Sequence, residues 1–332
     1  MKVVLVAAPI MDYREGRLCS IAMDAARECP PYGIYALASI LREADHEVVV
    51  ADLIALGSNS IISFQSHLQD CALVGIGATT LSWPTARDVI TQIRQLRQDV
   101  PIVLGGIHPT MFDRYILAMF PVQFVVRGEG EMALPALCRA LESNADLAQV
   151  PNLSWKDGEG RVVRNPLAPL IPAGKLASFP LPDYSELPDG AYKTLSIESS
   201  RGCAFDCSFC STSYRRSWRP MPAGAFVDRM AAVMSQLSRA QHPIIHVVDD
   251  EFSTNPRRAM TIIDLMGRRG LAPQLVYDSR ATDILHDGFI SSIKGLTHRL
   301  LVGAECGYDE GLSRIGKGTS CEVLEHAARK PL

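Results

Sequence analysis

The residues best suited to chemistry form one short stretch, Cys203-Ala204-Phe205-Asp206-Cys207-Ser208-Phe209-Cys210, whose thiols are separated by three residues and then by two. Three thiolates on one loop can hold three corners of a cubane iron–sulfur cluster. The fourth iron is then without a protein ligand and open to a small molecule. The spacing is unlike the paired Cys-x-x-Cys arrangement of a closed zinc site. A thioredoxin-type redox pair needs only two cysteines. Charged Asp206 and polar Ser208 between the thiols argue against three reduced core cysteines. Cys203, Cys207 and Cys210 are therefore assigned as metal ligands.

Arg201-Gly202 ahead of this loop, with aromatic Phe209 just before its last cysteine, resembles the radical S-adenosylmethionine (SAM) enzymes. The resemblance implies a [4Fe–4S] cluster whose open iron chelates the amino and carboxylate groups of SAM. It also implies an external flavodoxin- or ferredoxin-like electron donor and release of a 5′-deoxyadenosyl radical. The three cysteines are then catalytic, and Phe209 is a cofactor contact.

Carboxylates at strand ends can bond the SAM ammonium or ribose hydroxyls, so Asp249, Asp250, Glu251 and Glu305 are candidates. Asp250 and Glu305 are carried forward as cofactor contacts. Arg280 suits the SAM carboxylate, because a guanidinium presents a rigid fork of donors. Arg280 and Glu305 each follow a strand, at the mouth expected of a barrel. Lys317, after Gly316, reads as a surface residue.

In the first half, the ordered set Pro30-Pro31-Tyr32-Gly33, Gly105-Gly106-Ile107-His108-Pro109-Thr110 and Gly128-Glu129-Gly130-Glu131 resembles the cobalamin-binding domain that precedes many radical SAM barrels. Paired glycines let backbone approach a flat ring closely, and threonine hydroxyls can bond the amide side chains of a corrin. Thr79, Thr80, Ser82, Gly105, Gly106, His108, Gly128 and Glu129 are the expected cobalamin contacts. The classical Asp-x-His-x-x-Gly string does not occur. The resemblance therefore implies base-off cobalamin with no protein histidine on cobalt, and His108 is expected to be structural. A nicotinamide cofactor fits poorly, since Pro9-Ile10-Met11 after the first strand carries no Gly-x-Gly-x-x-Gly.

These residues must be positioned by an α/β chain. Strands at 2–8, 47–53, 72–77, 102–104 and 124–126 alternate with helices, which predicts a Rossmann-like, doubly wound parallel sheet over residues 1–145. Met11 to Cys29 reads as a long loop. Residues 146–194 read as a linker containing a β-hairpin, with 153–155 and 161–163 flanking Asp157-Gly158-Glu159-Gly160. From 195 to 332 the pattern predicts a partial TIM-like radical SAM barrel of four βα units, against the six that the resemblance implies. The open strand edge suggests a fragment of a longer protein.

At 332 residues the chain has room for two domains. A hydrophobic fraction of 47% and a net charge of −3 indicate an ordinary globular protein with no electrostatic case for nucleic acid. No apolar run reaches membrane-spanning length, so a cytoplasmic setting without a membrane is expected. Cys19, Cys29, Cys71, Cys138, Cys306 and Cys321 have no ligand spacing and read as incidental thiols. Taken together, the two resemblances imply a methyltransferase that moves a methyl group from SAM through cobalamin to an unactivated carbon of a natural-product-like small molecule. Oxidation, ring contraction or cyclisation with the same cofactors is the alternative. A non-catalytic cobalamin module with a degenerate barrel is the third reading.

Overall fold

A computed structural model describes residues 1–14, 17–20, 27–212 and 214–330, without the side chains of 11–14 and 17–20. The chain divides into two compact units, Met1–Ile171 with Pro180–Ala191, and Pro172–Phe179 with Tyr192–Leu332.

The first unit begins with β1 (Lys2–Ala7), a continuous apolar run suited to a strand covered on both faces. β2 (Met11–Arg14) and β3 (Arg17–Ser20) then pair as an antiparallel hairpin. This corrects the loop expected there over 11–14 and 17–20, where a polar, irregular composition concealed backbone pairing; residues 15–16 and 21–26 of that expected loop lie outside the described residues. β4 (Glu47–Asp52), β5 (Leu73–Gly77), β6 (Ile102–Gly105) and β7 (Phe124–Val126) complete the parallel set. β8 (Leu153–Lys156) and β9 (Val162–Arg164) extend it, giving the order β4-β1-β5-β6-β7-β8-β9.

β8 is antiparallel to β7, pairing Phe124 with Trp155 and Val126 with Leu153. The hairpin expected inside a linker is therefore part of the first sheet. Leu153 provides the reason, since it is fully buried with Val150 in the same core as Phe124 and Val126. On one face of the sheet, Val4, Ile76 and Leu104 pack with Ala86, Val89 and Ile90 of the helix Trp83–Leu96. On the other, Val3, Leu5 and Val103 pack with Ala38 and Leu41 of the helix Tyr32–Glu43 and Leu137 of Ala133–Ser143. Alternate residues of one strand thus feed opposite cores, as the period of two requires. The strand order reverses at β1, the kind of switch point at which open α/β sheets take ligands beyond the carboxyl ends of their strands.

In the second unit, the strand expected over 195–200 is interrupted. β10 (Leu195–Ile197) ends before Glu198, and β11 (Ser200–Arg201) pairs instead with β12 (Arg219–Pro220). β13 (Ile244–Val247), β14 (Gln274–Ser279) and β15 (Thr297–Val302) join β10 in a four-stranded parallel sheet, order β10-β13-β14-β15. The helix Pro256–Arg268 shows how these elements start: Asn255 caps it by accepting from the Arg258 N–H, and Pro256 takes a position whose own N–H would be unpaired. A short helix, Asp309–Arg314, was not read from the sequence. No helix among the described residues is long and apolar enough to cross a membrane.

Candidate functional site

In the second unit, the cysteine loop leaves β11 through Gly202, whose φ is +79°. A Cβ there would lie 2.6 Å from the Ser217 carbonyl and 2.9 Å from that of Tyr214, so only glycine allows the turn. The Cys203 N–H donates to Tyr214 O (3.2 Å), and the Ser217 N–H donates to Cys203 O (3.1 Å). Cys203 and Cys210 are half-buried and Cys207 is buried. The other end of the loop is fastened by the Ser208 N–H, which donates to Ile315 O at 2.9 Å.

Among the described residues, no three His, Cys, Asp or Glu side chains gather as a single metal ion would require. Thiolates that each bind a different iron of a cubane need not converge in that way. Two donors face these sulfurs. The Phe205 N–H lies 3.5 Å from Cys203 Sγ, and Arg280 Nη1 lies 4.0 Å from Cys207 Sγ. Burial pushes the Cys203 thiol up, with Glu251 and Asp250 adding to the rise, while the Phe205 N–H and Arg280 oppose it. Three thiols on one short loop, two of them faced by donors, fit a cluster, whose irons would take the place of the thiol protons.

Arg280 is buried, with its guanidinium carbon 3.7 Å from the centre of the Phe205 ring. Its Nη2 donates to the Lys317 carbonyl. Its Nε has no hydrogen-bond partner, a buried donor that a carboxylate ligand would satisfy. Phe209 is half exposed, and Lys317 Nζ stands 5.9 Å from its ring centre. Lys317 Nζ also donates to Glu305 Oε1 at 3.1 Å. Lys317 is 8% exposed, which corrects the surface role expected for it. Lysine is so rarely buried that composition alone could not have found it. No spacing marks it either, since its partner Glu305 stands 12 residues earlier, outside any helix or strand period.

The acidic run separates into three roles. Asp249 accepts from the N–H and hydroxyl of both Ser199 (2.6 and 2.6 Å) and Ser200 (3.0 and 2.6 Å). It clamps the break after β10, and burial pushes its carboxyl up against the pull of those donors. Asp250 is exposed, and it accepts from the Thr212 hydroxyl at 3.4 Å. Glu251 is buried, and burial followed by its bond to Asp283 pushes its pKa up to about 9. Ser253 donates toward both acids, at 3.3 Å to Glu251 and 2.9 Å to Asp283.

At the strand ends of the first unit, the expected cobalamin contacts bond largely to one another and to nearby protein groups. The Thr79 N–H donates to Ser82 Oγ (2.9 Å), and the Ser82 N–H donates to Thr79 Oγ1 (3.2 Å). This reciprocal turn opens the helix Trp83–Leu96. Gly106 has φ +93°, and a Cβ there would lie 2.7 Å from the Ala78 carbonyl. Its lack of a side chain therefore serves the packing of adjacent strand ends. Thr110 Oγ1 donates to Gly106 O (2.7 Å) and accepts from the Gly128 N–H (2.9 Å). Glu129 is buried and accepts from the Ile171 N–H at 2.7 Å.

His108 stacks on Trp83 with centroids 4.8 Å apart, and its Nδ1 lies 3.3 Å from Thr80 Oγ1. Burial lowers its pKa, which keeps the imidazole neutral. What remains open is Thr80, Gly105 and an apolar rim. A Cβ at Gly105 would meet only the Val126 carbonyl, at 3.9 Å, while Leu81, Met111 and Phe112 are exposed. A broad ring with amide arms fits such an edge. Cys71 and Cys138 lie in the core, as incidental thiols should.

Residues 20–138 match the B12 binding domain family. An uncharacterized methyltransferase of Pyrococcus horikoshii, PH0819, is 32% identical over 87% of this chain and 63% of its own length. The anaerobic magnesium-protoporphyrin IX monomethyl ester cyclase of Synechocystis is 24% identical over 91% of this chain and 62% of its own length. The chain thus spans about three fifths of the length of these two relatives. Among solved structures, the cobalamin-dependent SAM radical enzyme OxsB, with aqua-cobalamin and SAM bound, superposes with a TM-score of 0.74. That likeness is at 19% identity and covers 99% of this chain and 47% of the other. Residues 20–138 are thus similar to B12-binding domains, and the chain has the fold of the cobalamin-dependent SAM radical enzyme OxsB.

Proposed function

We propose that the protein is a cobalamin-dependent radical SAM methyltransferase, carrying a methyl group from SAM to an unactivated carbon of a small molecule. The reading rests on the cysteine loop, where a buried guanidinium faces Cys207 Sγ and keeps one donor unpaired. The name of the Pyrococcus relative supports methyl transfer. When bound, the cluster supplies the electron that cleaves SAM to a carbon radical, and cobalamin supplies a transferable methyl group.

Cys203, Cys207 and Cys210 hold the cluster as thiolates. The unpaired Nε and the forked face of Arg280 bind the SAM carboxylate. Glu305 accepts from the SAM ammonium or ribose hydroxyls, Asp250 is a second acceptor, and Phe209 covers the cofactor and limits water beside it. In the first unit, Thr80, Gly105 and the apolar rim receive cobalamin in its base-off form, with His108 as a neutral support for the rim rather than a ligand to cobalt. The small-molecule substrate, a flavodoxin- or ferredoxin-like electron donor and a cytoplasmic setting belong to the same proposal.

A second reading keeps both cofactors but closes a ring or oxidises the substrate without methyl transfer, and the printed name of the Synechocystis relative favours it. Reconstituted enzyme given methyl-labelled SAM, cobalamin and reductant separates the two. The methyltransferase reading expects label on the extracted corrinoid together with 5′-deoxyadenosine. An unlabelled corrinoid alongside abundant 5′-deoxyadenosine would contradict it. Binding of cobalamin with neither iron nor SAM would instead indicate a non-catalytic module.

A further inference from the structure

The turn from Ile315 to Gly318 is built around a buried cation that the proposed chemistry has not used. Lys317 pairs with Glu305 at 3.1 Å, the two side chains being 10% and 33% exposed. Burying an ammonium is unfavourable unless an opposite charge compensates it. Glu305 is the carboxylate that does so.

The backbone on both sides is shaped for this pair. Glu305 has φ +64°, a left-handed conformation that few non-glycine residues adopt and that persists only where the surroundings enforce it. At Gly303, a Cβ would collide with Glu305 Oε1 and stand 2.7 Å from Lys317 Nζ. Gly316 and Gly318, with φ of +66° and +65°, let the turn present the Lys317 side chain on one side and its carbonyl to Arg280 Nη2 on the other. The same turn receives the Ser208 N–H of the cysteine loop at Ile315 O, 2.9 Å away.

We propose that Lys317 is the positioning residue of the SAM site: it holds Glu305 so that the carboxylate's second oxygen meets the ammonium or ribose of an aminoacyl nucleoside sulfonium. The inference rests on the reading of Glu305 as a SAM contact. Only Oε1 of Glu305 is bonded to Lys317, and the partly exposed side chain leaves the other oxygen for a ligand.

The test uses the full chain, reconstituted anaerobically, with the variants K317M, K317R, E305Q and K317M/E305Q. Iron content, SAM affinity by equilibrium dialysis and the SAM-induced change in the spectrum of the reduced cluster are read for each. K317M is expected to keep its iron, to bind SAM about tenfold or more weakly and to lose most of the spectral change. K317R should recover a large part of that affinity. In the E305Q background, K317M should weaken binding by less than about threefold, because the residue through which it acts is already disabled.

SAM affinity of K317M within about twofold of wild type would overturn the proposal, as would an undiminished effect in the E305Q background. Loss of iron in both K317M and K317R would make Lys317 a fold residue and overturn it equally. If K317M alone loses iron, the neutral variants K317Q and K317Q/E305Q carry the same comparison, with the same expected and contradicting outcomes. If wild-type enzyme with a full cluster binds no SAM, the underlying site reading fails, and the inference falls with it.

Discussion

At the strand ends of the first sheet, Thr79, Ser82, Thr110 and Glu129 use their hydrogen-bonding capacity on one another and on nearby backbone. At the strand ends of the second, Arg280, Lys317 and Glu305 gather charge around a loop of thiols, and a buried Arg280 donor is left unpaired. The first edge is a finished polar frame with an apolar rim, suited to a large ligand held by shape. The second is an unfinished electrostatic arrangement, suited to a small zwitterion held by charge. On the proposed reading, similar parallel α/β architectures serve opposite kinds of recognition, and variants can pull the two apart.

The largest effect should come from Cys207→Ala. Removing one of three thiolates is expected to abolish iron binding and every SAM-dependent product, a loss of about a thousandfold or more, while cobalamin affinity stays within about twofold. Iron analysis and cobalamin titration check both halves. A matching fall in cobalamin affinity would erase the contrast between the two edges.

Gly106→Val is the reciprocal experiment. A valine at φ +93°, with its Cβ against the Ala78 carbonyl, should destabilise the first unit by about 2–4 kcal/mol and sharply weaken cobalamin binding. Iron content should persist. Chemical denaturation followed alongside iron analysis reads both.

A third difference concerns pH. Burial and Asp283 raise the Glu251 carboxyl from 4.5 to about 9, so the folded chain holds a proton that the unfolded chain releases between those values. Stability from this group is full below the unfolded value and falls as pH rises toward the folded one, by at most about 1.4 kcal/mol per pH unit. Glu251→Gln removes that slope. Denaturation midpoints at pH 6 and pH 8.5 should show the variant gaining on wild type at the higher pH. A gain at the lower pH instead would reverse the sign and refute the assignment.

The smallest effect is expected at His108. Its neutral ring is stacked on Trp83, so His108→Phe preserves packing and should leave the visible spectrum of bound cobalamin unchanged. A spectral shift on substitution would place histidine on cobalt.

Much of the fold was legible because continuous apolar strands and period-3.6 helices carry their own signature, as in Lys2–Ala7 and Trp83–Leu96. The β2–β3 pair was not, since each strand is only four residues long and charged residues stand at Asp12, Arg14 and Arg17. The hairpin of β8 and β9 was visible, but its attachment to β7 was not, because strand partners depend on long-range burial. Of the site, the thiol loop was readable from spacing alone. Lys317 was missed because a lysine reveals its burial only when its partner is seen. Gly106 and Glu129 fasten backbone, and their residue types could not distinguish that role from a ligand contact.

The account turns on an iron left open beside Arg280 for a sulfonium ligand to chelate. Anaerobically reconstituted wild-type protein, reduced and examined by electron paramagnetic resonance with and without SAM, tests it directly. The account predicts about four irons per chain and a cluster signal that shifts when SAM is added. Protein that takes up no iron, or a cubane whose signal is indifferent to saturating SAM, would contradict it.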